Sequence, residues 1–243
     1  LTPGAGRSRT GNMDNSSAPS RRESWAALAY FAAYLGYLLA TLESEIAHWL
    51  TLVAIPVLIA LAFGGWRRSP AVVLDTFGLR RRGWTRGLGW ALLLGAAITV
   101  LQVTLFGHRH EILAIIQSGR ALWLYPVMLL LMFGMAGFTE EFFFRGFLQT
   151  RLEVLTRSPW AAVVIVAVLF SLYHLPYAYL NPMWPSAGDW GLAWRAAFSN
   201  GLPGGLVLGA LYTLSGRNLV PCIVLHSMIN AAPAMTMIRF GGG

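Results

Sequence analysis

The chain is dominated by a succession of apolar runs, most of them close to the roughly 20 residues that carry a helix across a bilayer. They fall at about 25–42, 46–65, 87–106, 121–144, 159–181, 202–215 and 219–238. This pattern predicts an all-α protein, a polytopic transmembrane helical bundle of about seven membrane helices. An eighth is added if the segment 183–200 re-enters the membrane, and the short run at 202–215 is expected to be completed by the residues before it. Only 12% of the 243 residues are charged, against about 25% in a soluble domain, so most of the surface does not face water. No repeat of 20–50 residues is evident, which predicts one helical domain.

Residues 1–24 are polar and rich in Gly, Ser, Pro and Arg, the composition of a disordered tail. The first residue is Leu, and Met13 is the expected biological start. The run at 25–42 is long for a signal-peptide core and lacks a small-x-small cleavage site, so it reads as the first membrane helix. The chain then divides into the tail (1–24), accessory N-terminal membrane helices (25–118) and a membrane core (119–238) holding the polar residues discussed below.

The net charge is +8, and all 18 basic residues are Arg. They gather in short loops between apolar runs, where they set topology, which argues against nucleic acid as a partner and for the lipid bilayer. Arg21 and Arg22 precede the first run, and Arg67, Arg68, Arg80, Arg81, Arg82 and Arg86 lie between the second and third. Arg145, Arg151 and Arg157 flank the fourth-to-fifth turn, and Arg217 the sixth-to-seventh. The alternate loops hold only Arg109, Arg120 and Arg195, with Glu43 and Glu45 in the first. This alternation predicts an inside N-terminus. The absence of Lys fits a GC-rich bacterial source, hence an inner-membrane location.

Two features speak to packing. Gly201, Gly205 and Gly209 form a GxxxGxxxG stripe that lets a neighbouring helix approach closely. Trp184, Trp190 and Trp194 suit the headgroup region, as an interfacial loop or, alternatively, a substrate gate.

Ionisable groups inside membrane runs are costly and mark function by default. Here they are Glu140, Glu141, Arg145, His174 and His226, with the amide of Asn230. Glu141 and Arg145 stand four apart on a helix and can pair, which makes Glu141 a structural clamp. Glu140 lies about 100° around the helix, among Phe142, Phe143 and Phe144, and an unpaired carboxylate there suits a general base. Glu140 lies 17 residues before Arg157 and His174 lies 17 after it. Across a helical hairpin at equal rise the two reach similar depth. His226 and Asn230 share one helix face and form either a cradle for an oxyanion or polar glue between helices. Cys222 lies one turn earlier on that face. A single cysteine excludes an intramolecular disulfide, and nothing around it favours a reactive thiolate.

The motifs Glu140-Glu141-x-x-x-Arg145, Phe170-x-x-x-His174 and His226-x-x-x-Asn230 resemble, in order, the three motifs of the CaaX-protease and bacteriocin-processing (CPBP, or ABI) family of membrane proteases, related to the Rce1 prenyl-protein protease. The resemblance covers roughly residues 120–234. It implies a glutamic intramembrane endopeptidase without a cofactor, acting on a membrane-anchored protein or peptide. By motif position, Glu140 and His174 would activate a water, and His226 and Asn230 would hold the oxyanion. Glu141, Arg145 and Phe170 would support the architecture. The rival readings are a zinc protease with Glu140, His174 and His226 as ligands of an open site, and a non-enzymatic scaffold or immunity protein. A proton-relay transporter is a further alternative, against which stands the lack of an inverted repeat. Oligomeric state is not legible in the sequence.

Overall fold

The computed structural model describes residues 18–41, 45–64, 70–80, 84–105 and 109–238. Of these, 86% are helical and none is in a strand. Helix α1 (Arg21–Ala40) opens on a capping arrangement in which the Ser20 hydroxyl accepts the Glu23 backbone N–H. Ser-x-x-Glu before an apolar run is a helix-start signal, so the helix begins four residues ahead of the run. Residues 21–24, expected in the tail, are thus its first turn, with Glu23 and Ser24 buried. The rest of the tail expectation, residues 1–17 with Met13, lies outside the described residues.

Helix α2 (Glu45–Trp49) passes through a π-helical stretch, Leu50–Ala54, into α3 (Ile55–Gly64). Then follow α4 (Pro70–Thr76), α5 (Trp84–Leu105) and α6 (Arg109–Gln117). The fourth apolar run does not end at 144. Ala121–Thr156 is one unbroken helix of 36 residues, built from α7 (Ala121–Met132), a π-helical stretch at Phe133–Phe138, α8 (Thr139–Glu141), a second π-helical stretch at Phe142–Gln149 and α9 (Thr150–Thr156). At 1.5 Å per residue it reaches about 50 Å, well beyond the roughly 30 Å of a bilayer core. Arg145, Gln149 and Arg151 look like a span's polar end in the sequence, but all three are buried by neighbouring helices.

The chain reverses at Arg157, whose left-handed backbone (φ 56°) caps α9. Ser158 caps α10 (Pro159–Leu180) through the Ala161 N–H, with Pro159 in the first turn, where a missing donor costs nothing. Helix α11 (Trp190–Leu214) starts at an Asp189 cap. It absorbs residues 190–200 into one helix with the short run at 202–215, so a separate eighth helix at 183–200 is not formed. Helix α12 (Leu219–Met235) completes the order. Among the described residues, four helical stretches are long and apolar enough to cross a membrane: Ile46–Gly64, Trp84–Thr104, Ala121–Thr156 and Pro159–Leu180.

Two contacts determine where the site forms. The glycine stripe lays α11 against α10: a Cβ at Gly205 would stand 2.8 Å from Ala167 Cα, and one at Gly201 2.9 Å from Ser171 Cα. Consecutive residues on a helix point about 100° apart, so a helix packed on three sides needs an apolar group in each direction, and Phe142-Phe143-Phe144 supplies them. Phe142 stacks on Phe77 at 4.4 Å between ring centroids, and Phe143 meets Tyr30, Phe31 and Tyr34 of α1. Phe144 packs edge-on to Phe170 of α10 at 4.9 Å.

The Arg-bearing turns gather at one end of the bundle. Arg151 pairs with buried Glu23 at 2.6 Å, Arg217 with Glu153 at 2.6 Å, and the Asn218 amide donates to the Arg80 carbonyl at 2.9 Å.

Candidate active site

Glu140 and Glu141 occupy the three-residue α-helical turn between the two π-helical stretches of the long helix. A π-turn shifts the register of all residues beyond it, and such interruptions recur at functional sites. Glu141 is fully buried and one of its oxygens, Oε1, accepts two charge-assisted bonds, from Arg145 Nη1 and from His226 Nδ1, each 2.7 Å. Arg145 is anchored further by Nη2 donating to the Gly205 carbonyl at 3.3 Å and by its guanidinium lying 4.6 Å over the Phe170 ring. The glycine stripe thus exposes a backbone acceptor to the arginine; Gln149 uses the Gly209 carbonyl in the same way at 3.3 Å.

Glu140 faces elsewhere. Its Oε2 lies 4.0 Å from His174 Nε2 and 3.7 Å from His226 Nε2, and this buried oxygen makes no hydrogen bond within the described protein. Both imidazoles are oriented from behind. His174 donates Nδ1–H to the Phe170 carbonyl at 2.8 Å, and His226 donates Nδ1–H to Glu141. A carbonyl and a carboxylate can only accept, so each ring turns Nε2 towards Glu140. His174 is half-buried and His226 buried. Asn230 follows His226 by one turn of α12, half-buried, and its amide makes no hydrogen bond to a described side chain.

The structure therefore brings Glu140, His174 and His226 into one cluster, with Glu141, Arg145 and Phe170 behind it and Asn230 on the adjoining turn. Cys222 is buried, its thiol 3.5 Å from the Leu208 carbonyl, and takes no place in the cluster. The donor set of Glu140 and the two Nε2 atoms is that of an open zinc site, with the outer hydrogen bonds such ligands carry. Its spacing is wider than the roughly 3.3 Å between donors that Zn–N and Zn–O bonds of about 2.0–2.1 Å in a tetrahedron impose. Among the described residues no group of three His, Cys, Asp or Glu side chains is gathered as a metal site.

Sequence reasoning missed three residues here. His48 Nε2 is 3.1 Å from the Thr139 hydroxyl, and the Tyr173 hydroxyl is 3.5 Å from His48 Nδ1. The signal was present, since His48 lies inside the second apolar run; its position near the start of that run made it look like a loop residue.

A helical membrane protein with a buried carboxylate met by two backed imidazoles belongs to the class with a polar reaction-type site inside an apolar bundle. Within it, residues 122–232, just under half of the chain and holding every one of these motif residues, match the family described as type II CAAX prenyl endopeptidase Rce1-like. That segment belongs to the Rce1-like family. No curated protein and no solved structure matches the chain.

Proposed function

We propose that the protein is an intramembrane endopeptidase that hydrolyses a peptide bond in a membrane-associated protein or peptide, with Glu140 as the general base. One observation carries this reading: the buried Glu140 Oε2, without a hydrogen bond among the described residues, faces the Nε2 atoms of His174 and His226 at 4.0 and 3.7 Å. Polar atoms at this separation are the natural partners of a bridging water. The family of the surrounding segment supports peptide hydrolysis as the reaction.

A water between Glu140 Oε2 and His174 Nε2 donates one hydrogen to each acceptor and turns its lone pair outward. As its oxygen bonds to the scissile carbonyl carbon, the proton passes to Glu140 and the carbonyl π electrons move onto oxygen. His226 Nε2 and the Asn230 amide are the donors for that oxyanion. Collapse of the intermediate re-forms the carbonyl and breaks the C–N bond, and the amine leaves with the proton from Glu140. Because Nδ1–H of His226 is committed to Glu141, Nε2 donates only when the ring is doubly protonated.

The second reading, zinc held by Glu140 Oε2 and the two Nε2 atoms, is favoured by the outer hydrogen bonds on both rings. A bound zinc would supply Lewis acidity. Metal analysis of the purified protein separates the two readings, since the metal-free reading expects no stoichiometric zinc and full activity in chelator. We take the basic end of the bundle as the cytoplasmic face. The functional test compares membrane-protein termini in cells carrying wild-type protein or Glu140→Gln at equal level. New termini that vanish with Glu140→Gln support the reading; identical terminus sets point to the scaffold alternative.

A further inference from the structure

We propose that His48 is a positioning residue of this site, joining the turn that carries Glu140 to the helix that carries His174. The inference rests on the endopeptidase reading above and extends its site to a helix outside the matched segment 122–232.

The contacts run in series. The Thr139 hydroxyl donates to the Met135 carbonyl at 2.7 Å. Its single hydrogen is thereby used, and Thr139 Oγ1 accepts from His48 Nε2–H at 3.1 Å. With Nε2–H so used, the neutral ring presents its Nδ1 lone pair to the Tyr173 hydroxyl at 3.5 Å, a hydroxyl that Tyr177 also contacts. The result is a chain of contacts from Tyr173 through His48 and Thr139 to the Met135 carbonyl. Its two side-chain ends are the residues immediately before His174 and immediately before Glu140.

The location fits this task. Thr139 opens the short α-helical turn between two π-helical stretches, where the backbone ladder changes register and is least able to fix a side chain by itself. Glu140 Oε2 has no hydrogen bond among the described residues, so its separation from His174 is set by neighbours rather than by direct contact. His48 is itself held: Trp49 stacks on Phe138 at 5.5 Å, and the Tyr30 hydroxyl of α1 donates to the Thr51 carbonyl at 2.7 Å. Small displacements of catalytic groups cost rate.

The test uses the full chain reconstituted in proteoliposomes with a peptide that the wild type cleaves. His48→Phe keeps an aromatic ring and removes both hydrogen bonds; kcat is expected to fall about tenfold, with KM and thermal midpoint unchanged. His48→Gln, which offers an N–H near the Nε2 position, is expected to recover much of that loss. Should His48→Phe not fold, Thr139→Val and Tyr173→Phe each remove one hydroxyl, and the same fall in kcat at constant KM is expected, larger for Thr139→Val. In the double variant His48→Phe with Thr139→Val, the losses should not add. Wild-type kcat in His48→Phe overturns the proposal, as does a fall in kcat that tracks a fall in thermal midpoint, or a His48→Gln variant no better than His48→Phe. Glu140→Gln serves as the reference: if it stays active, the endopeptidase reading itself fails, whereas a dead Glu140→Gln beside a fully active His48→Phe removes only this inference.

Discussion

Glu140 and Glu141 are adjacent in the chain, yet their surroundings give them different work. Glu141 Oε1 balances Arg145 and orients His226 at once, each contact 2.7 Å. Glu141→Ala leaves Arg145 charged and without its counter-ion in a fully buried position, a change worth about 3–5 kcal/mol, so thermal unfolding is expected to shift down together with loss of activity. On the proposed mechanism, His226→Ala or Asn230→Ala removes one oxyanion donor and should lower kcat by about 10²–10³ while leaving it measurable. His226 donates from Nε2 only in its doubly protonated form, so kcat should fall as pH rises through its titration. His226→Gln, whose amide does not titrate, should show a low kcat with a flat alkaline side. The pairing of Glu141 with Arg145 was legible in the sequence because i,i+4 spacing is a local property of a helix. The bond from His226 to Glu141 was not, because it joins residues 85 apart through the packing of α12, which no local spacing encodes.

The element that organises the site is the unbroken helix from Ala121 to Thr156. Hydropathy alone ends it at 144, just before Arg145, because the helices that bury Arg145, Gln149 and Arg151 are distant in sequence. The equal count of residues on either side of Arg157 did predict that Glu140 and His174 reach the same depth, since a capped turn between antiparallel helices preserves that count. The glycine stripe was also readable as a close-packing face, although the use of the Gly205 and Gly209 carbonyls by Arg145 and Gln149 needed the third dimension. Gly205→Ala brings a Cβ to 2.8 Å from backbone of α10 and should destabilise by about 1–3 kcal/mol, read as a lower thermal midpoint. At the far end, Glu23→Ala removes the carboxylate that pairs with buried Arg151, whose remaining contacts include the Gly146 carbonyl and the Thr150 hydroxyl, and is expected to lower the thermal midpoint, at a cost of at most about 3–5 kcal/mol. The Ser20-x-x-Glu23 pattern could have placed that helix start correctly; the polar composition of its first turn concealed it.

At the level of the whole molecule, the Arg-bearing turns around residues 23, 80, 151 and 217 meet at one end. Single cysteines introduced at Arg80 and Arg157 in a Cys222→Ala background should therefore react with an impermeant thiol reagent from the same side of sealed vesicles, the cytoplasmic side on the orientation proposed above. His226 lies seven residues inside the start of α12, about 10 Å at 1.5 Å per residue. That depth sets the site nearer the basic end than a count along the long helix suggests, because α9 extends beyond the start of α12. The most direct measurement is kcat for Glu140→Gln against wild type, in proteoliposomes, on one membrane peptide that the wild type cleaves, with thermal midpoints recorded for both. The expected result is a loss beyond about 10³-fold at an unchanged midpoint; turnover within tenfold of wild type would contradict Glu140 as the base.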